Sequence, residues 1–332
     1  MKTKTISISE IARIANVNPS TVSRALNGSP LVKEETRLWI EQIAREHGYI
    51  PDAVAKSLTK GKTSTIGVIV PEISNSFYSH IVDSLEQVVV KHGYNLIICG
   101  TRFDAETECR AIRTMLSKRV DGLVACSLTE EGKDLLHQLC GNVPVILSDS
   151  LQESESFSSV YVDQEIGIRA LVEHLVERGH REIGCITDRV CRHRMQIFTE
   201  QLASHGIAVK EAYLYDSEDL GAQSGYEGLN ALCERGTLPT ALFAARDHIA
   251  VGVLRAAREH GIEIPEQLAV AGFDGLSISD FLYKKLTTVR QPASAIGEHM
   301  AELLLRKMSG EEEIQVNTTI SLIPELLVRE ST

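Results

Sequence analysis

Several absences narrow the reading before any motif does. No run of about 18 apolar residues interrupts the 332 positions, which excludes a transmembrane helix from the sequence pattern. The opening "MKTKTISISEIARIA" has two lysines but no apolar core and no small-residue cleavage site, so it does not read as a signal peptide. C-x-x-C is missing. The seven cysteines (Cys99, Cys109, Cys126, Cys140, Cys185, Cys191 and Cys233) are scattered and odd in number, against a disulfide framework or zinc ribbon and in keeping with a reducing cytoplasm. They read as small hydrophobes, with Cys191 the candidate for a redox role. Also lacking are a Gly-rich phosphate loop, G-x-S-x-G, H-E-x-x-H and any metal-spaced Cys/His cluster. His80, His193 and His248 are conceivable bases, but nothing pairs them with a nucleophile. The expectation is therefore no catalytic residue, no metal and no cofactor.

What is present describes an ordinary globular chain, 43% hydrophobic and 24% charged, long enough for two or three compact units. Its net charge of −11 is unevenly spread. Residues 1–62 hold ten Lys and Arg against six Asp and Glu, net +4, which leaves 24 basic and 39 acidic residues, net −15, on the remainder. A basic front end on an acidic body suggests that only the front end meets a polyanion.

The stretch "SISEIARIANVNPSTVSRALNGS" (Ser7–Ser29) strengthens that suggestion. Ser7 and Glu10 fit a capping box, and Ile8, Ile11, Ala12 and Ala15 recur at helical spacing. Asn16 stands where a turn needs a residue tolerant of positive φ. Asn18 is the expected N-cap of a second helix, with Pro19 in its first position, where a missing N–H costs nothing. Val22, Ala25 and Leu26 form the inward stripe, leaving Pro19, Ser20, Thr21, Ser23 and Arg24 outward. Two short helices across a three-residue turn make a helix-turn-helix, whose second helix can enter the major groove. Short hydroxyls and one arginine suit phosphates and base edges. A plain αα-hairpin would need no such small polar face. A third helix is expected over Glu34–His47, closed by Gly48, with Thr36, Ile40, Ile43 and Ala44 inward and Leu38 and Trp39 off the stripe.

Next comes "PDAVAKSL" (51–58), about two helical turns between Pro51 and Lys60-Gly61-Lys62. Helices this short are marginal in water, so it is expected to order only with a partner. From Thr65 onward short β-branched runs alternate with helical stretches. "TIGVIVP", "YNLIIC", "DGLVAC", "VPVILSD" and "SVYVD" form a first set, with helices near Phe77–His92, Ala105–Arg119 and Glu131–Cys140. "EIGCITD", "AYLYD", "TALFAARD" and "LAVAGFD" form a second, with helices near Gln164–Arg178, Arg192–His205, Ala222–Arg235 and His248–His260. This pattern predicts two doubly wound parallel-sheet lobes with a ligand cleft at the carboxyl ends of the strands.

"EIARIANVNPSTVSRALNGSPLVKEETR", followed by "GYIPDAVAKSL", resembles the headpiece of the lactose/galactose repressor (LacI/GalR) family of bacterial transcriptional regulators. The resemblance extends through the body to the closing "PELLVREST". It departs at Asn16, usually Gly; at Lys33, usually a capping Ser; and at Asp52, usually Asn. What the resemblance implies is an all-α helix-turn-helix headpiece (1–50), a hinge helix and linker (51–63), and a periplasmic-binding-protein-like α/β body (64–332) for effector binding and dimerisation. The N-lobe would comprise about 64–162 and 292–322, the C-lobe about 163–291 and 323–332. The implied function is a cytoplasmic, ligand-responsive regulator, a repressor, that binds a pseudopalindromic double-stranded operator as a homodimer, with no membrane partner. No leucine-heptad extension follows, which favours a dimer over a tetramer. A solute-binding protein or an enzyme on the same two-lobed fold is the alternative.

The candidate DNA-contacting residues are Ser7, Asn18, Pro19, Ser20, Thr21, Ser23, Arg24 and Asn27, with Ala55, Lys56 and Leu58 in the hinge. By resemblance, two hinge helices pair in the minor groove and Leu58 wedges between base steps, kinking the duplex. Lys56 would meet phosphate, and Ala55 would let the backbone approach. The candidate effector-binding residues are Phe77, Tyr78, Asp149, Arg194, Leu220, Arg246, Asp274 and Gln291, at strand ends or matching family positions. Leu220 stands where sugar-binding members carry a stacking aromatic, and Arg246 where Asn is common. Two guanidiniums in one cleft would suit a carboxylate or phosphate held bidentately. The expected effector is thus a sugar, sugar acid or sugar phosphate, with an anionic one preferred.

Overall fold

The computed structural model describes residues 6–50, 61–148, 157–310 and 317–332. The chain divides into two compact units, Met1–Thr63 and Ser64–Thr332.

In the first unit, α1 (Ile8–Ala15), α2 (Pro19–Leu26) and α3 (Glu34–Glu46) pack around Ile11, Val22, Ala25, Ile40 and Ile43, all buried. The capping box forms as expected: Glu10 N–H donates to Ser7 Oγ at 3.2 Å, and Ser7 N–H donates to the Glu10 carboxylate at 2.8 Å. Asn16 sits in the left-handed region at φ 54° and ends α1. Asn18 departs from expectation, because its side chain makes no cap hydrogen bond. Pro19 already lacks the N–H at the first helical position and holds φ near its helical value, so α2 starts without help from the Asn18 amide. Lys33 likewise provides no side-chain cap. Thr36 is only half-buried, while Leu38 and Trp39 are exposed.

The second unit contains two six-stranded sheets. The N-lobe sheet uses β1 (Thr65–Val70), β2 (Asn95–Gly100), β3 (Gly122–Cys126), β4 (Val145–Ser148), β5 (Ser158–Val162) and β11 (Thr319–Leu322), in the order β11-β5-β4-β3-β1-β2. The C-lobe sheet uses β6 (Ile183–Asp188), β7 (Leu214–Ser217), β8 (Ala241–Ala244), β9 (Ala269–Asp274), β10 (Thr287–Arg290) and β12 (Glu325–Leu327), in the order β12-β10-β9-β8-β6-β7. Every pairing is parallel except β10 with β12, which is antiparallel and corrects the all-parallel expectation. The cause is local: after the β11 crossover the chain re-enters the C-lobe through Pro324 and meets the edge strand head-on.

Helices α4 (Ser76–Val89), α5 (Ala105–Ser117) and α6 (Glu130–Leu139) flank the first sheet. Helices α7 (Gln164–Glu177), α8 (Arg192–Ser204), α9 (Ala222–Glu234) and α10 (Asp247–Glu259) flank the second. Helix α11 (Ala293–Ser309) returns to the N-lobe and packs on α4. Two helix pairs approach so closely that only glycine fits between them. A methyl group at Gly252 of α10 would lie 1.8 Å from the Ala222 carbonyl oxygen, and one at Gly297 of α11 would lie 2.2 Å from that of Ile81. The chain passes between lobes at 162–164, 290–293 and 322–325, so neither lobe is one continuous piece of sequence.

Candidate DNA-binding face and effector cleft

On α2 the helical repeat separates two faces. Val22 and Ala25 are buried, whereas Ser20, Arg24 and Asn27 are exposed on the opposite side. Asn18 and Pro19 are exposed at its N-terminus, with Thr21 and Ser23 half-buried beside them. Asn27 Nδ2 donates to the Ser23 carbonyl at 2.8 Å and so closes the C-terminal end. Ser7 is on the surface, but its hydroxyl and amide are both spent on the capping box, so its role is to fix the start of α1. The hinge candidates Ala55, Lys56 and Leu58 lie outside the described residues, as does Asp149.

The body carries a cleft cavity of about 420 Å³ between its lobes, at the carboxyl ends of the strands. Six of the expected residues meet there: Phe77, Tyr78, Arg194, Arg246, Asp274 and Gln291. Leu220 does not. It lines a smaller recess of about 170 Å³ with Glu72, Gly221 and His248, which Arg246 and Asn75 separate from the main cavity. The loop before α9 places the Leu220 side chain on the far side of the Arg246 guanidinium.

The C-lobe supplies a fixed polar floor. Arg194, on the first turn of α8, is 6% exposed, and every hydrogen bond it makes is internal. Its Nε donates to Gln164 Oε1 at 2.7 Å, and its Nη1 donates to the Ala245 carbonyl at 2.7 Å and to Asp274 Oδ1 at 3.0 Å. The guanidinium lies 4.0 Å from the centroid of the Phe273 ring, a cation–π contact that holds its plane. Gln291 Nε2 donates to the same Asp274 oxygen at 2.8 Å. Asp274 itself has φ 115°, an unfavourable angle for a side-chain-bearing residue. Such strain costs about 1–3 kcal/mol and clusters at functional sites. Here it points the last carboxylate of β9 into the cleft.

Arg246 follows β8 and is 5% exposed. Its Nη1 donates to Asp188 Oδ2 at 3.2 Å and its Nη2 to Glu72 Oε2 at 2.9 Å, with Nε 4.0 Å from Asp274 Oδ2. Burial works against its charge, yet Asp274, Asp188 and Glu72, with Cys191, outweigh it and raise its pKa further. The two guanidiniums therefore do share the cleft, but neither stands free for an anion, contrary to expectation. Each is already matched by carboxylates. Asp247, the next residue, turns away from the cavity: its Oδ1 accepts from Thr288 Oγ1 at 2.6 Å and its Oδ2 from Leu276 N–H at 2.7 Å. Burial first, and Asp274 second, push its carboxyl up to about 8.

The N-lobe contributes aromatic and hydroxyl groups. Phe77 and Tyr78 meet edge to face, with ring centroids 5.1 Å apart. Tyr78 Oη and Ser127 Oγ are 3.3 Å apart, and burial pushes the phenol's pKa above its ordinary value. Cys191 lines the cavity, and burial pushes its thiol up to about 12, which disfavours the thiolate. His193 shares Gln164 Oε1 at 3.1 Å with no nucleophile in between. Among the described residues, no group of three His, Cys, Asp or Glu is placed to hold a metal. No described helix is long and apolar enough to cross a membrane.

Sequence reasoning missed Glu72, Asn75, Phe103, Ser127, Thr129, Lys133, Gln164, Asp188 and Arg189, and named His193 only as a conceivable base. Of these, Glu72, Ser127 and Asp188 end or closely follow strands, so the signal that flagged Asp274 was available for them as well. Phe103, Thr129 and Lys133 reach the cavity from loops and from α6, where spacing carries no comparable mark.

Comparison with known proteins agrees with this architecture. Residues 7–52 match the model of bacterial regulatory proteins of the lacI family, and residues 172–332 match a periplasmic binding protein-like domain. The catabolite control protein A of Priestia megaterium is 32% identical, over 98% of this chain and 99% of that protein. The ribose operon repressor of Haemophilus influenzae is also 32% identical, over 97% of each chain. A crystal structure of the lac repressor dimer, bound to operator and the anti-inducer ONPF, superposes with a TM-score of 0.87 at 27% identity, covering 99% of both chains. With a headpiece of this shape, a two-lobed body behind it and relatives matched along nearly the whole length, the chain belongs to the LacI family of bacterial regulatory proteins.

Proposed function

We propose that this protein is a cytoplasmic, ligand-responsive transcriptional repressor whose effector is an uncharged, polyhydroxylated small molecule of the sugar class. The observation that carries this reading is the presence, in one chain, of an exposed small-polar face on α2 and a cleft floored by the buried Arg194–Asp274–Gln291 cluster. The first can present short side chains to base edges and phosphates. The second offers directional donors and acceptors beside aromatic rings, which suits hydroxyl groups on a ring face. Internal pairing of Arg194 and Arg246 favours a neutral ligand over the anionic one that their mere presence suggests.

A homodimer supplies two copies of α2 to half-sites about one helical turn apart, so the operator should be pseudopalindromic. Exposed apolar residues on both lobes, such as Ile73 and Ile98 on the first and Phe281 and Tyr283 on the second, are available for that association. The effector controls DNA affinity to the extent that it binds the two dimer states unequally.

The test is a gel shift on operator-length duplexes, titrated with salt and repeated with a panel of neutral sugars, sugar acids and sugar phosphates. Sequence-selective binding with a steep salt slope is expected, near 0.9 in log–log terms per phosphate contacted. Replacing Arg24 by Ala should weaken operator binding without unfolding the chain. Binding that is indifferent to sequence, or a response confined to anionic ligands, would overturn the corresponding half of the proposal.

A further inference from the structure

Arg246 belongs to the C-lobe and Glu72 to the N-lobe, 174 positions earlier, and their 2.9 Å ion pair spans the cleft. Among the described residues, the other charged groups paired with Arg246 or with its partners come from one side. Arg194, Arg246, Asp188 and Asp274 all stand on the C-lobe and together form two cations and two carboxylates. That set is electroneutral without Glu72. When the lobes part, Arg246 keeps Asp188 and its proximity to Asp274, and Glu72, already 24% exposed, passes into water. The pair can therefore be made and broken without stranding a buried charge, unlike a buried pair whose rupture leaves one partner uncompensated.

Glu72 is also held ready on its own lobe. Asn75 Nδ2 donates to Glu72 Oε2 at 3.3 Å, and Asn75 Oδ1 accepts from Phe77 N–H at 3.0 Å to cap α4. The carboxylate is thus tied to the helix start that carries Phe77 and Tyr78. Across the gap, the Arg246 side chain stands between the main cavity and the recess beside Leu220 and His248, lining both.

From this arrangement we propose that Glu72 and Arg246 form a releasable cross-cleft clasp that holds the lobes together and confines the effector to the larger chamber. The proposal rests on reading the cleft as the effector site, but its central claim concerns the ion pair and the two lobes it joins. A ligand can shift a two-state equilibrium only by its unequal affinity for the states. A body already biased toward closure leaves the effector less of that shift to supply. Glu72 thereby sets how far the unliganded protein resembles the liganded one, and Arg246 sets which side of the cleft a ligand may occupy.

Hydrogen exchange of the full-length, ligand-free protein, without DNA, tests the clasp. Replacing Glu72 by Ala should raise amide exchange on both cleft walls, in 72–78 and in 186–194 with 244–248, by roughly fivefold, the factor expected of a partly exposed ion pair. Glu72→Gln, which keeps an acceptor but drops the charge, should give a smaller rise in the same segments. The midpoint of global unfolding should barely move, because the C-lobe cluster stays neutral. No change in exchange, a rise confined to 72–78, or an even rise accompanied by a lower unfolding midpoint would each overturn the clasp. Those outcomes leave the gel-shift result untouched, so failure of the clasp and failure of the repressor reading are distinguishable.

Discussion

The two lobes of the body share a strand order but bring different chemistry to the cleft between them. The C-lobe contributes Asp188, Arg194, Arg246 and Asp274, all buried and bonded to one another or to neighbouring backbone. Besides the charged Glu72, Glu130 and Lys133, the N-lobe contributes Phe77, Tyr78, Phe103, Ser127 and Thr129, uncharged rings and hydroxyls, the hydroxyls bonded within that lobe. The interiors differ too. The C-lobe core is one continuous cluster built around Phe198, Phe243 and Phe273, whereas the N-lobe core is split into separate clusters on the two faces of its sheet. A charged network in low dielectric is rigid because every member depends on its partners. Aromatic and hydroxyl groups tolerate small displacements. The C-lobe thus reads as the template for the ligand and the N-lobe as the surface that adjusts to it.

That contrast is broken most directly by Arg194→Ala. Loss of the guanidinium leaves Asp274 buried beside Asp247 without its closest cation, and chemical denaturation should record a loss of about 3–5 kcal/mol. A loss below 1 kcal/mol would mean that the C-lobe floor is as forgiving as the N-lobe wall. Gly252→Ala comes next. Its methyl group would press on the Ala222 carbonyl, force α9 and α10 apart, and cost about 1–3 kcal/mol in the same measurement.

Asp247→Asn probes the buried charge through pH. The folded-state pKa of about 8 lies well above the ordinary carboxylate range, so the folded protein binds the extra proton. Its stabilising effect is complete below pH 4 and is lost as pH rises through 8, at no more than about 1.4 kcal/mol per pH unit. Asparagine keeps the shape of the side chain and an oxygen that can accept from Leu276 N–H, but it cannot titrate. Urea midpoints between pH 5 and 8 should therefore fall more steeply for the wild type than for the variant. The smallest effect belongs to the N-lobe. Phe77→Ala should weaken effector binding by about 1 kcal/mol, roughly fivefold, as read by calorimetry with whichever sugar the panel identifies, and should leave the unfolding midpoint nearly unchanged. A large stability loss there would erase the distinction between the lobes.

The legibility of these features in the sequence follows the range of the forces behind them. Helix positions were legible to within two or three residues, because capping residues and apolar spacing are local: Ser7 with Glu10, and the apolar runs before α5, α7 and α10. The C-terminal strand β12 escaped notice as a strand, since Glu325–Leu327 is too short to show a period and pairs antiparallel only through its crossover. Six cleft residues could be placed by the strand-end rule or by resemblance. The state of their charges could not. Whether Arg194 and Arg246 are open to a ligand depends on Asp188, Asp274 and Glu72, which are brought together from 58, 80 and 174 positions away. Leu220 was expected in the main cavity because it stands where sugar-binding family members carry a stacking aromatic, and it lines the smaller recess beside Arg246 instead.

The three passages between lobes bear on how the chain is made. Strands β1–β5 emerge from the ribosome long before α11 and β11, which cover α4 and complete the sheet edge at β5. Throughout synthesis of the intervening C-lobe, the nascent N-lobe carries an open strand edge and an uncovered helix flank, both prone to promiscuous pairing. The body is therefore most vulnerable on the translating ribosome, and chaperone dependence should concentrate in the interval before residue 322 is released.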